Sequence, residues 1–230
     1  MASPTRAELI FKLIAAVTAR TIVLGALLFF SAGTLAWWRA WVFLAVMLAA
    51  TATMMLGVNQ GLVAERLKGP FQKASRADKI LAVALIPAMA GQFVFIGLDV
   101  SRLHLLGKPN VIMSSLGLAL CIAGFWIMHV SMRENAFATT VVRYQQERGQ
   151  VVVDTGPYRI VRHPMYSGGA LLFVGMPLWL QSSAGALLAV VLIGLFVLRI
   201  AIEEGLLRRE LPGYAAYAER VRYRLIPFLW

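Results

Sequence analysis

The sequence predicts an all-α, polytopic integral membrane protein of about six spanning helices, with interfacial helices at its C-terminus. Three observations carry this prediction. Of 230 residues, 60% are hydrophobic and only 14% are charged, more apolar material than a soluble core of this length requires. The apolar residues gather in runs near the roughly 20 residues that a helix needs to cross a hydrocarbon core of about 30 Å. These runs also lack the two-residue alternation of barrel strands, which leaves helices as the structure that satisfies its own backbone in lipid.

The runs fall at residues 21–38, 41–57, 80–100, 111–132, 165–180 and 184–202. The first extends upstream through 9–19, apolar apart from Lys12. The fifth is short and carries Pro177, so the count is six spans, or five if that run is broken. Between the second and third lies a basic connection, GVNQGLVAERLKGPFQKASRADK, with room for a short helix and no catalytic spacing. Residues 131–164 are too polar to span and long for a bare loop, which marks them as functional. After the last run, EEGLLRRELPGYAAYAERVRYRLIPFLW reads as one or two interfacial helices interrupted at Pro212-Gly213. In that tail Arg220, Arg222, Arg224 and Trp230 read as interfacial anchors. Residues 1–110 and 111–230 are expected to form one integrated domain, the first part supplying membrane helices and the second a cytosol-facing catalytic region.

The net charge of +11 is distributed by topology rather than gathered for nucleic acid. Nineteen of the 22 lysines and arginines flank alternate connections and the termini, and only Arg39, Arg102 and Lys108 fall in the others. This positive-inside bias places both termini in the cytoplasm of a multi-pass protein. No small-residue cleavage site closes a short apolar core near the N-terminus, so no signal peptide is expected. Cys121 is the single cysteine, which excludes an intrachain disulfide. His104, His129 and His163 have no metal-ligand spacing, so no metal is assigned. His129 is expected to hydrogen-bond to another helix.

The sharpest polar feature is GPYRIVRHPMYSGG, residues 156–169, at the threshold of the fifth run. Pro164 suits the first position of a helix. His163 then sits at a helix N-terminus, whose unpaired N–H groups favour an anionic ligand. Tyr158 and Tyr166 offer aromatic faces and hydroxyls, and Gly168 and Gly169 permit close approach of a ligand or helix. Downstream, Arg199 lies inside the apolar run FVLRIAIEE. It shares a helix face with Glu203 and either pairs with it or receives an anionic substrate group from the bilayer. Glu203 suits the amine or ribose hydroxyls of a cofactor.

These segments, GPYRIVRHPMYSG, EEGLL and ELPGYAAYAERVRYRLIP, resemble the C-terminal signature of the isoprenylcysteine carboxyl methyltransferase family and its prokaryotic relatives, a group that also includes phospholipid N-methyltransferases. The resemblance spans roughly residues 131–227. It implies an integral-membrane methyltransferase that uses S-adenosyl-L-methionine without a soluble dinucleotide-type domain. Carried over by position, it implies a cofactor pocket lined by Tyr158, His163, Pro164, Met165 and Tyr166, closed by Glu203, with backbone contacts from Gln150, Val151, Val152 and Val153. Arg199 takes the place of the family's substrate-orienting arginine. Arg143 stands where the eukaryotic enzymes have a cofactor-binding glutamine, a departure from the pattern. The expected substrate is a lipophilic small molecule or lipid from the bilayer. Carboxyl O-methylation of an isoprenylcysteine-like compound is the nearest activity, with phospholipid-amine N-methylation and thiol S-methylation as alternatives. From other classes, the readings weighed are a non-catalytic membrane scaffold, a transporter and an NADPH-dependent sterol-type reductase. A transporter is disfavoured because the polar residues crowd one side of one half.

Overall fold

A computed structural model of the chain describes residues 6–55, 60–67, 76–140 and 142–230. Among them are eight α-helices and no strand: α1 (Arg6–Ala32), α2 (Trp38–Met55), α3 (Gln60–Arg66), α4 (Arg76–Leu98), α5 (Val111–Glu134), α6 (Pro164–Trp179), α7 (Ser183–Glu210) and α8 (Tyr214–Arg220). Four stretches, Ile10–Ala32, Arg76–Leu103, Val111–Glu134 and Ser183–Glu210, are long and apolar enough to cross a membrane. Their surfaces carry exposed Ile22, Phe30, Ile80, Ile112, Trp126 and Val190, as lipid-facing helices must. α2 is apolar over the shorter Trp38–Met54, and α6 has 16 residues, about 24 Å of helix. The six predicted runs are thus six apolar helices, four of full spanning length and two short.

Some boundaries differ from those expected. The first helix ends at Ala32, because Gly33 takes φ +71°, and Trp38 opens the next helix. The last long helix continues past residue 202 to Glu210, so Glu203 and Glu204 are helical. Residues 135–140 and 142–163 are irregular apart from two short 3₁₀ turns, at Gln146–Arg148 and Gly156–Arg159.

The helix that carries the histidine-proline turn is held from two sides. Against α5 it packs through antiparallel glycine pairs. A Cβ on Gly124 would lie 2.6 Å from the Gly168 carbonyl oxygen, and one on Gly175 would lie 2.6 Å from that of Gly117. The two backbones therefore touch as only small residues allow. Against α4 it is tied by a polar bond deep in the bundle. Pro177 has no N–H to offer the carbonyl of Phe173 four residues earlier. The Gln92 amide donates to that carbonyl instead, at 2.9 Å, and to the Gly185 carbonyl at 3.2 Å. A backbone acceptor without water is thereby satisfied by a neighbouring helix.

At the bundle end away from the histidine-proline turn, the Ser182 hydroxyl caps α7 by accepting from Gly185 N–H at 2.9 Å, and it donates to the buried Asp99 at 2.6 Å. Arg39 donates to the Trp179 carbonyl at 3.0 Å and lies over the rings of Trp38 and Trp179. Cys121 is packed in the core formed with Leu28, Phe43, Phe93 and Trp179. The expected bond from His129 to another helix is not made by its Nδ1, which is buried without a partner among the described residues, and its ring lies beside Trp126.

Candidate functional site

A cavity of about 390 Å³ opens where α4, α5, α6 and α7 meet the irregular segment and α8. Its apolar wall comes from Leu85, Met89, Met128, Leu172, Phe173 and Phe196. Its lining also contains every predicted site residue. Gln150, Val151, Val152 and Val153 lie on the irregular stretch between the two 3₁₀ turns, and Tyr158 comes from the second turn. His163, Pro164, Met165 and Tyr166 form the start of α6, while Arg199 and Glu203 project from α7. Arg143 is there too, paired with Glu65 at 3.2 Å and with Glu147.

Their bonding differs in part from expectation. α6 does begin at Pro164, with His163 before it, yet the amides ahead of the proline are not open to a ligand. Arg162 N–H donates to the Tyr223 carbonyl and His163 N–H to the Arg224 carbonyl, both at 2.9 Å. The His163 ring is also engaged, with Nε2 at 3.2 Å from Glu204 Oε1. The predicted anion site at this helix N-terminus is therefore largely occupied by the chain's own C-terminal tail.

Glu204 is the hub of that arrangement and was absent from the predicted residues. It is 4% exposed. Arg162 Nε donates to its Oε1 at 2.6 Å and Arg224 Nε to its Oε2 at 3.1 Å. Arg162 also donates to the carbonyls of Val221 and Arg222, at 2.7 and 2.9 Å. Arg224 is thus part of a buried network, with Trp230 stacked against it, rather than a plain interfacial anchor. Leu207, Leu211, Tyr214, Tyr217, Ala218 and Val221 form a separate core over this network. The break at Gly213, where φ is +83°, turns the chain back so that α8 covers the cavity.

Arg199 and Glu203, weighed as an ion pair, take different partners. Arg199 reaches Asp78 of α4, with Nε at 3.1 Å and Nη2 at 3.0 Å from Oδ1, and Nη2 also donates to the Thr140 carbonyl at 2.6 Å. Asp78 is 1% exposed, and its Oδ2 accepts from Val142 N–H at 2.9 Å. Glu203 instead accepts from the Tyr166 hydroxyl at 2.8 Å. Tyr166 stacks edge-on against Phe196, 4.9 Å between centroids.

The basic connection, in which no catalytic spacing was expected, supplies two residues to this region. Asp78 fixes Arg199. Arg66, the last residue of α3, lines the cavity and donates from Nε and Nη2 to the Ala138 carbonyl at 3.0 and 2.6 Å. Its Nη2 lies 3.5 Å from Met165 Sδ. Burial lowers the Arg66 guanidinium to about 10, while the nearby Tyr158 and Tyr166 oppose that shift and Arg20 adds to it. Burial also pushes the phenols of Tyr158, Tyr214 and Tyr217 upward, so all three remain protonated donors. Tyr217 donates to the Tyr158 carbonyl at 2.8 Å. The Tyr214 hydroxyl lines the cavity but is buried without a partner. Sequence signals for these residues were slight: a lone acid at the start of a span, and an arginine ending a short amphipathic stretch.

Two comparisons bear on this architecture. Residues 112–212 match the phospholipid methyltransferase family. Among solved structures, the chain is similar to the eukaryotic intramembrane Ras methyltransferase, isoprenylcysteine carboxyl methyltransferase. That match has 20% identity and a TM-score of 0.52, covering 94% of this chain and 77% of the other. At that identity the likeness is one of fold. No curated protein matches the chain.

Proposed function

We propose that this chain, whose residues 112–212 match the phospholipid methyltransferase family, is an integral-membrane methyltransferase. It takes S-adenosyl-L-methionine from the cytosol and a lipophilic acceptor from the bilayer. The observation that carries the proposal is the mixed lining of one cavity. Polar groups of 150–166 and α7 line it together with leucine, methionine and phenylalanine side chains of α4 to α7. A small polar ligand and a greasy one can meet there with water excluded.

The residues present fit the cofactor. A volume of about 390 Å³ lies within the range of roughly 300–1,000 Å³ for small-molecule pockets. The backbone of Val151–Val153 makes no backbone hydrogen bond among the described residues, leaving amides and carbonyls for the edge of a purine. The Tyr214 hydroxyl is buried and unsatisfied, a state that a ligand's polar atom would relieve. Glu203, held by Tyr166, offers a carboxylate for ribose hydroxyls or an ammonium. His163 acts here through Glu204, fixing the start of α6. When bound, S-adenosyl-L-methionine supplies a methyl group already activated on a sulfonium.

What the protein adds is then placement. In-line transfer needs the acceptor close to the methyl carbon, and positioning of this kind supplies a large part of such a rate. Arg199, immobilised by Asp78 and the Thr140 carbonyl, presents its remaining N–H donors as the proposed orienting group for the acceptor. A carboxylate acceptor needs no general base, which favours carboxyl O-methylation of an isoprenylcysteine-like compound. Methylation of a phospholipid amine or thiol is the second reading, favoured by the neutralisation of Arg199 by Asp78.

Calorimetry with S-adenosylhomocysteine on the detergent-solubilised protein tests the first step. Binding is expected, and Glu203→Gln should weaken it by about ten- to a hundredfold, the worth of a hydrogen bond to a charged group. Absence of binding to the folded wild-type protein would sink the proposal in favour of a scaffold. Labelled-methyl transfer to prenylcysteines, phosphatidylethanolamine and small thiols then separates the acceptors.

A further inference from the structure

Four arginines line the cavity: Arg66, Arg143, Arg162 and Arg199. Three are neutralised within the protein. Arg143 faces Glu65 and Glu147, Arg162 faces Glu204, and Arg199 faces Asp78. Arg66 differs. Its partners are the Ala138 carbonyl and the Met165 sulfur, and no carboxylate among the described residues lies within ion-pair distance. The groups acting on it electrostatically are two phenols and a second cation, Arg20, whose own guanidinium donates to the Thr51 hydroxyl at 2.8 Å.

A guanidinium partly withdrawn from water without a counter-ion is costly, and its neutral acceptors recover only part of the loss. The two bonds to Ala138 use Nε and Nη2, so further donors of the fork remain for a ligand. The geometry points to Arg66 as the anion-recognising residue of this cavity: it receives a carboxylate or phosphate of the bound ligand, while Arg199 contributes orientation without net charge. This deepens the methyltransferase reading and rests on it for the choice of ligands. The anionic group has two possible owners, the amino-acid end of the cofactor or the head of the acceptor.

The test uses Arg66→Gln in the full-length protein, in lipid nanodiscs, with four probes titrated by calorimetry. S-adenosylhomocysteine is compared with methylthioadenosine, which lacks the amino-acid end. An N-acetylated prenylcysteine acid is compared with its neutral methyl ester. The expected result is a loss of about ten- to a hundredfold for the charged member of one pair, with its uncharged counterpart unaffected. Loss confined to S-adenosylhomocysteine assigns the anion to the cofactor. Loss confined to the prenylcysteine acid assigns it to the acceptor. Unchanged affinity for all four probes, or equal weakening of charged and uncharged members, would overturn the inference. Arg66→Lys keeps the charge and should retain most of the discrimination. It also provides the comparison if Arg66→Gln unfolds at a lower temperature. If the wild-type protein bound neither nucleoside, the methyltransferase reading would fail, while the acid–ester pair would still report on Arg66.

Discussion

Glu203 and Glu204 are neighbours in sequence, yet α7 sends them into different surroundings. Successive helical residues are rotated by about 100°, so one carboxylate faces the cavity and Tyr166 while the other faces Arg162, His163 and Arg224. Removing the second strands two buried or half-buried cations. Glu204→Ala should therefore cost about 3–5 kcal/mol, the usual penalty for breaking a buried pair from one side. Thermal unfolding in detergent would show it as a large fall in midpoint that saturating S-adenosylhomocysteine does not fully restore. Glu203→Gln, by contrast, should leave the midpoint close to that of the wild type. The sequence pointed to Glu203 for the cavity but did not show the role of Glu204. That depended on the phase of α7 and on the tail from 221 to 230, which folds back onto 162–163 through backbone bonds. Arg199 was legible as a costly charge in an apolar run, but its partner Asp78 lies 121 positions away and no local pattern joins them.

On the scale of elements, the contact between α5 and α6 sets where the histidine-proline turn sits. Gly117 and Gly124 on one helix meet Gly175 and Gly168 on the other, at a seven-residue spacing that keeps each pair on one face. Gly124→Val would place a side chain against the Gly168 carbonyl and should destabilise by about 1–3 kcal/mol through overpacking. The same strain should weaken S-adenosylhomocysteine binding, because α6 would shift from its place against the cavity. Gly91→Ala is the matched control: a Cβ there meets nothing within 4 Å, and gaining alanine in a helix should be neutral or stabilising by about 0.5–1 kcal/mol. Comparing the two unfolding midpoints, and the nucleoside affinity of each variant, checks both expectations. Helix existence was legible from run length alone, and Gly168 and Gly169 already signalled close approach. The register was not, since it takes two helices to define it. Pro177 likewise suggested a broken span, whereas Gln92 supplies the missing donor and the helix continues through it.

At the scale of the whole molecule, the two parts of the chain cannot be divided into membrane anchor and catalytic unit. Arg66, Leu85 and Met89 line the cavity, Asp78 holds Arg199, and Gln92 holds α6, all from before residue 110. The cavity's polar residues, the tail, Arg66 and Asp78 lie at one end of the bundle, with Arg39, Lys108 and Asn110 at the other. The charge bias predicts that the first end faces the cytoplasm, an orientation testable in intact cells or sealed vesicles. Cysteine introduced at Lys108 should react with a membrane-impermeant maleimide from the non-cytoplasmic side. Cysteine at Glu219, exposed on α8, should react only after permeabilisation. Cys121 is buried, so the native background should be low. Labelling of both positions from the same side would break the proposed topology, because α5 runs from next to the first toward the cavity end. Labelling of Glu219→Cys from outside would instead invert it, and the cavity would then open away from the cytosolic pool of S-adenosyl-L-methionine that the proposed reaction draws on.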